Sequence, residues 1–402
     1  MNAVTAIDAA SARAPARTAP RAGRATARVE ILPLGTPGPT LAADWDALVA
    51  DAAEADVFAE RWFAEASRTL SPAGVRQFLV RRGDQLIALM PIVAASRYGH
   101  IPMRHSENWA HYHRFLGAPL LRRGDEVEAW TAILGALDAD RDAGALLHIS
   151  GMVEGGPAHR GLIEAARQLG RPCDTVHRIE RAMLSSTLSP EDYYAATVRK
   201  KKRKELARLR TRLMEQGKVE TRRLAPDAPV QPWIDAFLAL ERAGWKGEAG
   251  SALACTPETA SFFNEVVGGA HRAGKLDMLR IDLDGAPVAM LVNLLAAPGA
   301  FSFKTAFDER LSRFSPGVLI QIENLQLLAR GDTGWIDSCA VENHPMINSL
   351  WGERRAIVRV SVPLAGARRR AMFTAARGLE KAAASLRRLR TPHPAPVVES
   401  DT

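Results

Sequence analysis

The chain has 402 residues, 47% of them apolar and 24% charged, with a formal net charge of +8; this length and balance predict two packed units and exclude a fibrous chain. No window approaches the ~20 uninterrupted apolar residues of a membrane-spanning helix. Cys173, Cys255 and Cys339 stand in no paired spacing, which excludes a disulfide framework and a thiolate zinc site and leads us to expect a soluble, cytoplasmic protein without a bound metal.

Residues 1–28 carry five Arg against Asp8 and almost no large apolar side chains, so they are expected to form a solvated, disordered tail. A first unit, 29–185, opens with apolar helical patterns over 41–53 and 58–67. Phe78–Arg82 and Gln85–Ala95 read as two strands around the turn Gly83-Asp84, followed by strands near 115–121 and 145–150 with an amphipathic helix over 126–137 between them. In SENWAHYHRFLG, Glu107, His111, Tyr112 and His113 are expected to wall a polar pocket between the halves. His-x-His on a strand lacks an evident third ligand, so it is not read as a zinc site.

A second unit, 186–364, begins at Ser189-Pro190-Glu191-Asp192, an N-cap followed by proline and first-turn acids. Its helix is expected to carry the basic run 199–212 as far as Gly217. That run has no interleaved aromatics and matches no DNA-binding motif; it reads as a solvated face or as a hold on an anionic donor. Trp245 and Lys246, in GWKGEAG, read as a lid over substrate. LDMLRIDLDGAPVAMLVNLLAA then overlays the first hairpin at a shift that puts Asp284-Gly285 on Gly83-Asp84, which predicts one supersecondary unit used twice. Next, FSFKTAF reads as a strand and Ser315-Pro316-Gly317 as a helix start. A strand running into a helix N-terminus, with Arg310 and Arg313 just before it, makes a site for phosphate, and Gly317 would let an anion approach the backbone. The last segment, 365–402, contains a basic amphipathic helix over 368–390, expected to touch an anionic membrane surface or pack on the body.

Three strings, AGWKGEAGSAL (Ala243–Leu253), FKTAFDERLSRFSPGVLIQIE (Phe303–Glu323) and DSCAVENHPMINSLWGERR (Asp337–Arg355), resemble the GNAT-superfamily group that includes CelD-like and FemAB-like proteins. The likeness covers most of 187–360 and, more faintly, 29–185. It implies an α/β fold of tandem GNAT-like domains, each a mixed, mostly antiparallel sheet flanked by helices. The implied activity is transfer from acetyl-CoA or another acyl-CoA to an amine or hydroxyl of a small-molecule or saccharide acceptor, in polysaccharide or envelope assembly. FemAB-like transfer from an aminoacyl-tRNA is the alternative enzyme, and a non-catalytic, membrane-adjacent binding module the alternative outside enzymes. In one place the chain departs from the family pattern. Where GNAT enzymes carry Arg/Gln-x-x-Gly-x-Gly/Ala, the run from Phe314 to Leu319 keeps only Gly317 and Val318 in place.

On this resemblance, Lys304 binds phosphate or the developing negative charge, Asp308 removes the acceptor proton, and Tyr112 protonates the leaving thiolate. Arg310, Arg313, Ser315, Gly317 and Val318 are the expected CoA contacts, and Trp245, Lys246, Asp337 and His344 the expected acceptor contacts. Cys339 reads as an inert buried thiol.

Overall fold

The computed structural model describes residues 26–390. Most of the tail read over 1–28, and residues 391–402 of the last segment, lie outside them. Ala27 and Arg28 already belong to a strand. In chain order the strands are β1 (Ala27–Pro33), β2 (Arg76–Arg82), β3 (Gln85–Ala95), β4 (His105–Asn108), β5 (Leu120–Leu121), β6 (Leu146–Val153), β7 (Asp174–Leu184), β8 (Val219–Arg223), β9 (Leu276–Leu283), β10 (Ala286–Ala296), β11 (Gly299–Phe307), β12 (Trp335–Asp337) and β13 (Glu353–Pro363).

These strands join in one sheet of order β1-β2-β3-β4-β6-β13-β7-β12-β11-β10-β9-β8, with β5 beside β3. Read inward from its two edges, the sheet repeats itself: β1-β2-β3-β4-β6-β13 from one side and β8-β9-β10-β11-β12-β7 from the other. The repeated hairpin seen in the sequence is β2–β3 and β9–β10. Asp284 and Gly285 both take positive φ (51° and 84°), the type I′ geometry whose twist suits a two-residue hairpin. Each half has one parallel pair at the same place, β4 with β6 and β11 with β12. Each half also gives its last strand to the centre, where β7 and β13 pair antiparallel along Asp174–Met183 and Glu353–Ser361. The fold is α/β, two GNAT-like halves sharing one mostly antiparallel sheet flanked by helices.

Two cores hold the sheet. In one, Val358, Val360 and Val362 of β13 pack with Phe78, Trp130 and Leu147 of the first half. In the other, Phe58 and Phe63 of the first half pack with Phe262, Phe301 and Phe303 of the second. Phe58 makes edge contacts to Phe63, Phe115 and Phe301 at 5.1, 5.7 and 5.0 Å, which welds the halves by aromatic packing.

Some local expectations change. The strand read over 115–121 contracts to β5. The helix expected from Ser189 to Gly217 is two helices, Pro190–Thr197 and Lys200–Met214, because Val198 between them is extended (φ −99°, ψ 121°). Downstream, the helix Ala367–Arg390 docks Phe373 and Ala376 against Tyr98, Met103 and Leu146, so part of its apolar face packs on the body. Among the described residues no helix is long and apolar enough to cross a membrane.

Candidate active site

β11 and β12 pair only over Gly299–Phe301 and Trp335–Asp337. Beyond that, β11 continues to Phe307 while the chain after β12 turns away, with Cys339 at φ 52°. The strands therefore part and open a gap along β11. Within β11 the ladder to β10 pairs Lys304 with Val292 and Ser302 with Asn293, so Phe303 is an extra residue in a β-bulge beside this gap.

Lys304 is half-buried, and its Nζ lies 2.9 Å from His113 Nδ1. The rings of Phe303, Tyr112 and Phe115 surround the ammonium at 5.4, 5.6 and 5.7 Å. Burial, and then the charge of Lys246, bring the Lys304 pKa down from 10.5 to about 8. Lys246 Nζ donates to Glu241 Oε1 at 2.7 Å, and the other oxygen of this buried carboxylate accepts the Leu253 N–H at 2.8 Å.

His113 is buried and stacks on Phe262 with centroids 5.3 Å apart. Burial, and then Lys304, hold its pKa down at about 3, so the ring is neutral and Nδ1 accepts from the lysine. His111 Nε2 is 3.1 Å from Ser67 Oγ, and its Nδ1 accepts the His113 backbone N–H at 3.3 Å. The segment 111–113 is a turn, not the strand assumed for His-x-His. No group of three His, Cys, Asp or Glu suited to a metal occurs among the described residues.

Residues 200–340 match the family model described as acetyltransferase (GNAT) domain. The chain carries a GNAT domain and is an acyltransferase. No curated protein sequence matches it. Among solved structures it is similar to FemX at 11% identity, covering 83% of this chain and 96% of that one with a TM-score of 0.55. A conserved protein of unknown function from Bacteroides thetaiotaomicron is similar at 12% identity, 81% and 97% coverage and a TM-score of 0.52. L-PGS from Bacillus licheniformis is similar at 12% identity, 81% and 92% coverage and 0.50. At these identities the likeness is one of fold.

The expected site residues divide. Lys304, Lys246, Tyr112 and His113 come together at the gap, although Tyr112 is 86% exposed and offers Lys304 its ring. Asp308 does not join them. Four residues along extended chain span roughly 13 Å, and Asp308 pairs instead with Arg310, Nη2 to Oδ2 at 2.7 Å, which holds its pKa low. Arg310 is otherwise in solvent, and Arg313 lies over the Phe314 ring at 4.7 Å.

The helix Pro316–Glu323 offers less to phosphate than its sequence promised. Ser315 sits at φ 54° without a side-chain cap, and its carbonyl accepts both the Val318 and Leu319 N–H groups at 2.9 and 3.1 Å. Since proline has no N–H, the first turn can present at most that of Gly317. Gly317 is itself buried, and a Cβ there would lie 2.8 Å from the Phe307 ring, so the glycine is needed for packing.

Asp337 is fully buried rather than lining a pocket. Burial alone would raise its pKa, but Arg181 and Arg355, 2.7 and 3.0 Å from Oδ2, overcome it and hold the carboxylate ionised. Its Oδ1 accepts the Cys339 N–H at 2.9 Å, which fixes the corner where the chain leaves β12. Burial, and then Asp337, push the Cys339 thiol well up, consistent with an inert side chain. His344 caps the short helix Pro345–Asn348 by accepting the Ile347 N–H. Trp245 is 56% exposed, and its N–H donates to Glu309 at 2.8 Å. Glu241, Arg181 and Arg355 carry no local sequence signal; only the folded chain brings them to the gap.

Proposed function

We propose that this acyltransferase moves an acyl group from acetyl-CoA or another CoA thioester to an amine or hydroxyl acceptor, with the thioester in the gap between β11 and β12 and Lys304 handling the proton. The observation carrying this reading is Lys304 itself: a half-buried lysine on a bulged strand, at the mouth of an opened parallel pair, with a pKa near 8. A thiol has a pKa of about 8.5, so an ammonium near 8 is matched to protonate a departing thiolate. In the sequence we infer, the acceptor nitrogen or oxygen bonds to the acyl carbon, the C–S bond breaks, and Lys304 delivers a proton to sulfur. Neutral Lys304 then takes the proton the acceptor loses, and His113 receives the Lys304 hydrogen bond throughout. General acid–base catalysis of this kind contributes roughly 10²–10⁴-fold.

Release of free thiol from acetyl-CoA with a panel of primary amines and alcohols tests the reading. Wild type should turn over at least one of them, and Lys304→Ala should lose roughly a hundredfold or more of that rate. Equal rates in the two folded proteins would remove Lys304 from the chemistry.

A second donor, aminoacyl-tRNA, is favoured by the basic helix Lys200–Met214, whose Lys200, Lys201 and Lys204 project from its start. Retardation by charged tRNA, with no response to any CoA, would move the donor assignment there.

A further inference from the structure

One face of the sheet centre is open. On β13, Val358, Val360 and Val362 point into the first core, so Ile357, Arg359 and Ser361 point the other way. Cross-strand pairing sets Ser150 of β6, Arg359 of β13 and His177 of β7 side by side in one row. These same three residues belong to two neighbouring depressions. One, of about 430 Å³, runs from them to Arg181, Phe115 and Cys339 at the Lys304 gap. The other, of about 560 Å³, runs from them into the first half, to Tyr98, His105, Glu107 and His148. Together they form a single trough across the strands.

The far end of the trough is a chain of groups that both donate and accept. Tyr98 OH lies 2.9 Å from Ser361 Oγ, which lies 2.9 Å from His148 Nδ1, and His148 Nε2 is 3.3 Å from Ser150 Oγ. Beside it, His105 Nε2 is 3.5 Å from Glu107 Oε2. Arg359, in the middle, is exposed, and among the described residues no carboxylate pairs with it. From β6 to β11 is four strand spacings, about 19 Å at ~4.8 Å each.

We infer that the trough holds an extended acidic oligosaccharide as acceptor, its reacting end at Lys304, a carboxylate or phosphate on Arg359, and distal hydroxyls on half-buried His148 and Ser150, which buried Tyr98 and Ser361 hold in place from behind. This rests on the acyl-transfer reading for what happens at Lys304, while the trough's own geometry carries the rest. Hydroxyl-rich rings match side chains that each donate and accept. A bare cation in a cleft favours an anion, and a guanidinium binds carboxylate or phosphate through paired N–H groups. A peptide lacks its usual purchase here: β6, β13 and β7 are hydrogen-bonded on both edges, so no free strand edge remains for a backbone ladder.

Calorimetric titration with galacturonic acid and its dimer and tetramer, with maltotetraose, and with hexaglutamate tests the trough. The tetramer should bind at least about tenfold more tightly than the monomer or maltotetraose, and Arg359→Ala should cost it about tenfold, the worth of one charge-assisted contact. His177→Ala, also on the exposed row, should weaken the tetramer in the same direction. Arg359→Ala should leave CoA affinity within about twofold, since β13 stands three strand spacings from β11, about 14 Å at ~4.8 Å each. A tetramer no tighter than the monomer, a tetramer indifferent to Arg359→Ala, or hexaglutamate binding as well as the tetramer would each overturn the inference. Saturable tetramer binding without any CoA binding would sink the donor assignment and leave the trough standing; the reverse result would do the opposite.

Discussion

Lys304 Nζ and His113 Nδ1 stand 2.9 Å apart although 191 residues separate them in the chain. One belongs to each half, so the site exists only where the halves are joined. The lysine is held below its ordinary pKa chiefly by burial, and then by Lys246. Removing Lys246 also leaves buried Glu241 without its ion-pair partner, and both changes favour the Lys304 ammonium. Lys246→Met should therefore raise the Lys304 pKa above 8, measured by ¹³C NMR of labelled lysine; a fall would contradict the electrostatics.

The same shift bears on stability. Lys304 has a folded pKa near 8, below its unfolded value of about 10.4. Between those values the unfolded chain binds more protons, so this group's contribution to stability rises with pH there and is unfavourable below 8. Lys304→Met should raise the unfolding midpoint at pH 7 by more than at pH 10. An equal effect at both values would mean the lysine is not strained by burial.

Gly317→Ala is expected to destabilise the protein by about 1–3 kcal/mol, the usual cost of overpacking, since the added methyl meets Phe307 at 2.8 Å. Phe307→Leu in the same chain should recover part of the loss. Chemical denaturation of the single and double variants measures both, and an additive double variant would show that the two positions do not touch.

Phe58→Ala should cost about 3–5 kcal/mol and lower a single unfolding transition, because Phe58 packs in the core of the other half and the sheet runs unbroken through both. Two separated transitions in calorimetry would mean the halves unfold independently.

Iodoacetamide should label exposed Cys255 in the native protein and spare Cys339, whose thiol is buried and has its pKa pushed well up. Rapid native alkylation of Cys339 would reopen a nucleophilic role for it.

What could be read from the sequence was local. The hairpins β2–β3 and β9–β10 declare themselves because an Asp-Gly or Gly-Asp pair between apolar runs is a signal within a few residues. The strand into β11 and the helix start at Pro316 were visible for the same reason. The exchange of β7 and β13 was not, since it pairs Glu353 with Met183 and nothing near either residue encodes the other. Lys304 stood out by its position, but its partner did not. Asp308 attracted attention by a four-residue spacing that brings side chains together on helices and holds them apart on strands. Gly317 was read for the wrong neighbour, because a glycine needed for a phosphate and one needed for a phenylalanine look alike in one dimension.

The central claim is that the gap between β11 and β12 receives a CoA thioester beside Lys304. Calorimetric titration with CoA, acetyl-CoA and a longer acyl-CoA tests it most directly, with the ¹³C signal of labelled Lys304 followed over the same titration. The account predicts saturable binding in the micromolar to millimolar range usual for enzyme substrates, with the Lys304 signal moving at the same ligand concentrations. No saturation with any of the three, or a Lys304 signal indifferent to bound ligand, would contradict it.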